Sequence, residues 1–499
     1  MNMVQLQAFL PIIIIASISV LTMLLIAFHR HHRQTQLLSV IGYLAAFIVL
    51  ISAPDSQMSQ VTPLITMDAY SRFFIEMIIL TSLCITLFSY HYLKQCQEEK
   101  EEYYILMSLG VLGASVLIAS NNFASFFIGI ELLSVSLFAL VGYLVKGKTR
   151  RHGALEASIK YMLLSGVSSS FLLFGVALIY TDTGLLTFDK LQAVIALGHF
   201  GGYSKIGFTM VLIGLGFKVS WVPFHMWTPD VYEGAPAPVT TFLATVSKVA
   251  VFASILRFFI ESGGYQFTAL SHVLELIAVL SILAGNGLAL LQTNLKRMLA
   301  YSSIAHMGYL LIALIAAGII AKQGDNQLAL EAVSFYLVAY LIMTLISFGI
   351  VTVLSRPSES SEAERLDQYQ GLFWRRPWLA FALTLSLLSL AGIPFTIGFI
   401  SKFYIVAAGV QHSLWVLLAA LILGSAMGIY YYLGAIIRMS KPIPIEAVGK
   451  ISDTGTISIE SSVAIWILSI LLIGFGLYPQ PLINLIQNAL IWSSYPHFY

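Results

Sequence analysis

Apolar runs dominate this chain: fourteen times in 499 residues the sequence passes through about 17 or more residues that are mostly hydrophobic. The hydrocarbon core of a bilayer is about 30 Å thick and takes about 20 helical residues to cross. Lipid offers no hydrogen bonds to the backbone, so a segment of this length and polarity must satisfy its own amides as a helix. Hydrophobic residues make up 58% of the chain and charged residues only 10%, against roughly 25% charge in soluble domains. The sequence therefore predicts an all-α polytopic membrane protein of about 14 transmembrane helices.

The spans are read at about 5–28, 37–53, 70–92, 103–120, 122–145, 157–181, 203–224, 237–260, 268–291, 298–320, 328–354, 378–409, 412–437 and 458–486. The first is a retained helix and not a signal peptide, because the basic run His29 to Arg33 follows its apolar core and no small-residue cleavage site does. Loops after odd-numbered spans carry Arg30, Arg33, Lys94, Lys100, Lys146, Lys148, Arg150, Arg151, Lys296, Arg297, Arg356, Arg365, Arg375, Arg376, Arg438, Lys441 and Lys450. Loops after even-numbered spans hold few, chiefly Lys190, Lys205 and Lys322. The positive-inside rule puts the odd loops in the cytoplasm and both termini on the opposite side of the membrane. The polar interruptions at 182–202, 355–377 and 438–457 are too short for a soluble core and read as surface loops, leaving 1–499 as one integral membrane domain.

Two spans contain helix breakers. Span seven reads GLGFKVSWVPFHMWTPDVYEGAPAPVT, with Pro223 as its first break, and span twelve reads LAGIPFTIGFISKF, with Pro394 after Gly392. Proline removes a helical hydrogen bond, and broken backbone at membrane depth persists only where protein or water surrounds it. The five-span interval between the breaks reverses the crossing direction, which suggests two inverted five-helix repeats. The corresponding division is 1–100 for helices 1–3, 101–262 for helices 4–8, 263–440 for helices 9–13 and 441–499 for helix 14.

Glu131, Lys218, Lys248 and Lys402 fall near the middle of spans. A charge there costs about 2.5–3.5 kcal/mol on insertion scales, so each needs a partner, a water path or a task. For Lys218 two readings fit: a salt bridge locking two helices, or a proton carrier whose natural partner is Glu131 in span five. A lysine taken out of water gives up its proton more readily, and an approaching carboxylate holds it. A thousandfold swing in proton affinity matches a potential of about 150–180 mV, so opening and closing one pair is of the right size for pumping. Lys248 and Lys402 extend the series as carriers in a lateral wire, with water and hydroxyl groups between them.

His306, in YSSIAHMGY, is either a relay between Lys248 and Lys402 or a histidine bonded within the bundle. His225, after the Pro223 break, is better read as structural. Glu156 and Lys160, four apart on one helix face, are a surface pair or a proton entrance. Lys296 and Arg297 read as a topology anchor, and Asp68, Arg72 and Glu76 as an interfacial charge ladder. No histidine set has metal or haem spacing, and no metal is expected. Two cysteines, Cys84 and Cys96, exclude an iron–sulfur cluster held by this chain alone. The net charge of +2, dispersed over short loops, gives no nucleic-acid surface.

PFHMWTPDVYEGAPAPVT at 223–240, NLKRMLAYSSIAHMGYLL at 294–311 and AGIPFTIGFISKFYI at 391–405 closely resemble the N-type antiporter-like membrane subunits of bacterial proton-pumping NADH:quinone oxidoreductase, respiratory complex I. The likeness runs over essentially the whole chain. It implies an antiporter-like fold in which helices four to eight and nine to thirteen form inverted half-channels. It implies Glu131 as the span-five glutamate, Lys218 as its span-seven partner, Lys248 as the connecting lysine and Lys402 as the second-half lysine. The M-type relatives usually carry glutamate where Lys402 stands, the L-type have a long C-terminal extension, and the Tyr232 to Gly234 stretch favours N. The resemblance places NADH, FMN, iron–sulfur clusters and quinone in partner subunits, with none bound here. It implies as neighbours subunit M and the small K, J, A and H types. The chain would then be a translocase subunit with no redox site of its own.

Two rivals stay open on the sequence: an Mrp-type sodium/proton antiporter subunit without redox coupling, and a non-conducting structural subunit of the membrane arm. Thylakoid relatives in photosynthetic organisms are a lesser alternative. Sodium prefers clustered oxygen ligands, which the lysine-dominated axis supplies sparingly.

Overall fold

Helices fill the computed structural model almost entirely, as backbone satisfaction in lipid demands. It describes residues 3–52, 59–96, 99–144, 152–198, 201–321, 327–355, 362–442 and 458–490. In chain order these are α1 Met3–Phe28, α2 His32–Ser52, β1 Ser59–Thr62, β2 Ile65–Met67, α3 Ala69–Lys94, α4 Glu102–Ile118, α5 Phe123–Val141, α6 His152–Thr183, α7 Phe188–Ala196, α8 Gly202–Val219 and α9 Trp227–Gly234. They continue as α10 Ala237–Phe242, a π-helical turn Leu243–Ser247, α11 Lys248–Glu261, α12 Thr268–Ala289, α13 Leu295–Ala321 and α14 Gln327–Leu354. Last come α15 Leu372–Arg375, α16 Pro377–Ala391, α17 Ile397–Gln411, α18 Trp415–Ser440, α19 Ile459–Leu477 and α20 Gln480–Ala489.

Eleven helices among the described residues are long and apolar enough to cross a membrane. Glu102–Ile118, Pro377–Ala391 and Ile397–Gln411 are shorter apolar helices. The runs read from the sequence overlap helices; 378–409 divides into α16 and α17, the interruption 355–377 holds α15 and buries Leu366, Tyr369 and Leu372, and further details differ. The run 458–486 is two helices, because Pro479 follows the end of α19 and opens α20. The interruption 182–202 contains α7, whose Phe188, Leu191 and Ile195 bury one face. A two-stranded antiparallel hairpin, β1–β2, precedes α3. Of the loop charges used for orientation, Lys146, Lys148, Arg150, Arg151, Lys322, Arg356 and Lys450 lie outside the described residues.

Burial is graded across the bundle. Ala237–Glu261 is buried along its length, and Leu295–Ile319 and Leu328–Leu354 nearly so, whereas α1, α2, α6 and α12 turn apolar side chains such as Ile41, Leu163, Phe174 and Leu276 outward. The outer helices pack through small residues: a Cβ on Gly175 of α6 would stand 2.6 Å from the Gly207 carbonyl of α8, and one on Gly207 equally close to the Gly175 carbonyl. Such contact lets apolar helices associate where no hydrophobic drive exists between them.

Both breaks appear, and neither is started by its proline. α8 ends where Ser220 adopts φ 68° and Trp221 donates its N–H to the Gly216 carbonyl at 2.8 Å. α16 ends where Gly392 adopts φ 88° and Ile393 donates to the Leu388 carbonyl at 3.0 Å. This is the left-handed stop that closes many helices, and Pro223 and Pro394 follow it and prevent resumption. In span twelve the chain then passes so close to α16 that a Cβ on Gly398 would lie 1.8 Å from the Ser389 carbonyl. Gly398→Ala is expected to destabilise the chain by at least about 1–3 kcal/mol through overpacking, read as a lower unfolding temperature of the purified protein.

Candidate functional site

Lys218 occupies the last turn of α8, just before the first break, and is 5% exposed. Its Nζ donates to Ser134 Oγ of α5 at 2.7 Å and to Ser165 Oγ of α6 at 2.5 Å. Glu131 lies one turn from Ser134 on α5 and accepts from Ser169 Oγ at 2.5 Å. The expected direct ion pair is therefore replaced by a serine cradle. The carboxylate is close enough to act on Lys218 electrostatically but not to bond it.

Lys248 follows the π-helical turn directly and is fully buried. Such turns widen a helix and recur at functional sites. Its Nζ donates to Ser303 Oγ of α13 at 2.6 Å, and Ser303 is bonded in turn to Tyr340 Oη of α14 at 2.6 Å. The ammonium also lies 5.5 Å from the centre of the Tyr232 ring, a cation–π contact.

His306 stands one turn beyond Ser303 on the same face of α13 and is 2% exposed. Its Nδ1 is bonded to Tyr336 Oη at 2.6 Å, its Nε2 faces Tyr432 Oη at 3.4 Å, and its ring centre is 5.7 Å from that of Tyr340. Tyr432 is bonded to Ser302. Tyr309, a further turn along α13, accepts from Asn286 Nδ2 at 2.9 Å. The ammonium of Lys402 lies 5.3 Å from the Tyr309 ring centre.

Lys402, in α17 beyond the second break, donates to the carbonyls of Leu390 at 3.1 Å and Ala391 at 2.8 Å, the last of α16. A cation at a helix C-terminus is favoured by the helix dipole. Gly392 gives it room, since a Cβ there would meet Lys402 Cδ at 2.9 Å. No carboxylate among the described residues is within ion-pair distance of Lys218, Lys248 or Lys402.

Ser303, Tyr340, His306 and Tyr309 thus lie between Lys248 and Lys402 inside the most buried helices. A stripe of hydroxyls and one imidazole on α13, at 302, 303, 306 and 309, supplies much of the link. That helical spacing is legible in YSSIAHMGY, where the hydroxyls flank His306 on one face. Tyr336 and Tyr340 repeat it at four residues on α14. Tyr232, Asn286 and Tyr432 carried no comparable signal.

Lys160 joins Glu156 at 2.6 Å and also Asp230 of α9 at 2.9 Å. Asp230 is bonded to Arg297 at 2.9 Å and Arg297 to Glu233 at 2.7 Å, so Lys160 is one member of a network linking α6, α9 and α13. His225 lies nearly buried in the first break. Two readings need correction. Lys296 is not a loop anchor in water but wholly buried and paired with Glu362 at 2.8 Å. Asp68 does not belong to a surface ladder: it accepts from Arg257 Nη2 with both carboxylate oxygens at 2.6 Å, while Arg257 is 1% exposed. The fold turns these charges inward, where only a partner from elsewhere in the chain makes them tolerable.

Residues 120–428, more than half of the chain, match the sequence family described as NADH:quinone oxidoreductase/Mrp antiporter, transmembrane. Among solved structures, a chain of respiratory complex I from Thermus thermophilus with bound aureothin is 29% identical, with a TM-score of 0.79 over 95% of this chain and 98% of that one. A chain of the membrane-bound sulfane sulfur reductase, an archaeal respiratory membrane complex, is 25% identical, with a TM-score of 0.80 over 98% and 97%. A chain of the Mrp complex from Dietzia sp. DQ12-45-1b shares the fold, with a TM-score of 0.83 over 100% and 98% at 19% identity. Broken helices and buried lysines are thus set in a fold shared by subunits of respiratory and antiporter complexes, and the chain belongs to the NADH:quinone oxidoreductase/Mrp antiporter transmembrane family.

Proposed function

We propose that this chain is the N-type antiporter-like membrane-arm subunit of a bacterial NADH:quinone oxidoreductase, and that it translocates protons along Glu131, Lys218, Lys248, His306 and Lys402. The observation that carries the reading is the hydrogen-bonded run from Lys248 through Ser303 to Tyr340, beside His306 at the centre of the bundle. Lysine accepts and releases a proton, hydroxyls pass it on by exchanging donor and acceptor roles, and an imidazole offers one donating and one accepting nitrogen. The ring contacts between His306, Tyr309 and Lys402 are too long for direct transfer, so water or side-chain rotation completes the path. Lys402 and the Tyr232 to Gly234 stretch support the N assignment within the family.

On this reading residues 101–262 and 263–440 are the two inverted halves, NADH, FMN, iron–sulfur clusters and quinone belong to partner subunits, and M-type and small membrane subunits adjoin the chain. The membrane is the bacterial inner membrane, with both termini periplasmic. The proton path takes its energy from quinone reduction elsewhere in the complex. Lys160, in its network with Asp230 and Arg297, stands at the cytoplasmic entrance to the first half.

Purification of the tagged chain from its native membrane in mild detergent is expected to bring NADH:quinone reductase activity and flavin with it. Migration without either, together with sodium-dependent proton transport that ignores NADH, would put the Mrp-type reading in its place.

A further inference from the structure

Lys296 and Glu362 form a buried ion pair that the proton path does not use, with side chains 0% and 1% exposed, and the partly exposed Glu364 stands 3.7 Å from the same ammonium. Its surroundings are specific. Lys296 Nζ donates to the Glu233 carbonyl at 3.0 Å and the Ala235 carbonyl at 2.7 Å, at the end of α9. Glu362 accepts from the backbone N–H of Ala237 at 3.1 Å, the first residue of α10, and from Tyr92 Oη near the end of α3. An ammonium therefore caps the C-terminus of one helix and a carboxylate the N-terminus of the next, each at the dipole end it suits. Between them lies the Gly234–Ala237 junction of spans seven and eight.

The pair also ties two helices that meet again deeper in the bundle. Lys248 lies eleven residues beyond Ala237, about 16 Å along the helix, and Ser303 seven residues beyond Lys296, about 10 Å along α13. At that depth the same helices touch through the 2.6 Å Lys248–Ser303 bond. A slide or rotation at the capped end changes this bond.

We propose that Lys296 and Glu362 are positioning residues whose pairing clamps the junction of α9 and α10 to α13 and so holds Lys248 in register with Ser303. The role in proton transfer rests on the function proposed above. The clamp itself is a claim about the junction alone.

The test uses the assembled complex with Lys296→Met/Glu362→Gln, which removes both charges at nearly constant volume, and with Glu362→Asp, which keeps the charge but withdraws it by one methylene. A pair that only offsets its own burial is replaceable by neutral groups without loss. The clamp predicts that both variants assemble and translocate about threefold fewer protons per electron than wild type. It also predicts amide exchange at 234–238 at least tenfold faster, with the interior of α11 unchanged. Should the double variant fail to assemble, Glu362→Asp carries both readouts alone. Wild-type exchange at 234–238 in an assembled variant overturns the clamp, and faster exchange with a wild-type proton ratio overturns its link to Lys248. Lys248→Ala in the same membranes separates the claims: if it pumps normally, the conduction reading fails, while exchange still decides the clamp.

Discussion

Lys248→Ala in an assembled complex is expected to lower proton translocation per electron by about a hundredfold. Without the amine, a proton must cross the buried stretch between Tyr232 and Ser303 with no titratable side chain to receive it. A charge unsupported at that depth costs about 2.5–3.5 kcal/mol, which is roughly two powers of ten in rate. Lys248→Arg is the sharper variant. Arginine keeps the positive charge and donates to Ser303 but does not release its proton, so it is expected to pump as poorly as alanine. Lys218→Ala and Lys218→Arg should follow the same pattern, since Ser134 and Ser165 solvate an ammonium but do not replace it. Proton uptake by inverted membrane vesicles, normalised to NADH oxidation and to assembled complex, provides the measurement. Wild-type ratios in all four variants would leave this chain a structural subunit.

Asp68→Ala is expected to deplete the chain from membranes. The change removes the carboxylate that accepts two hydrogen bonds from the buried Arg257 guanidinium and leaves it Glu261 at 3.7 Å as an acid neighbour, a loss of up to about 3–5 kcal/mol for a weakened buried pair. It also removes the cap of α3, where Asp68 Oδ1 accepts from the Ser71 N–H at 2.8 Å, worth about 1 kcal/mol more. Against a total stability of about 5–15 kcal/mol this is a large fraction. Adding Arg257→Met to Asp68→Ala removes the stranded charge and should recover most of the pair's share, leaving the cap deficit. Immunoblots of membranes and thermal unfolding of the purified protein separate the two: recovery by the second substitution identifies the stranded charge as the cause. No recovery places the loss in the cap and local packing.

Much of the architecture was legible because lipid simplifies the problem. A backbone that must satisfy itself makes apolar run length nearly equivalent to helix length, so runs such as 70–92 and 328–354 match α3 and α14 closely. The same logic marked Lys218, Lys248 and Lys402, whose depth in a span follows from counting residues. It missed Arg257 and Lys296 because both lie near span ends, where a long side chain ordinarily reaches water. In this bundle α10–α11 and α13 are surrounded by other helices, and that route is closed.

The sequence by itself determined that the chain spans a membrane, where most of its long helices lie, where two of them break, and that Lys218, Lys248 and Lys402 lie at depth. These properties depend on local spacing and on the solvent. Only the tertiary structure decided the partners. Asp68 meets Arg257 across 189 residues, Glu362 meets Lys296 across 66, and Lys218 meets Ser134 across 84 while Glu131 turns to Ser169. Each choice depends on how helices rotate and approach one another, which is set by small residues such as Gly175 and Gly207 and by the left-handed stops at Ser220 and Gly392. Spacing along one helix assigns a side chain to a face, and packing against its neighbours assigns that face an occupant.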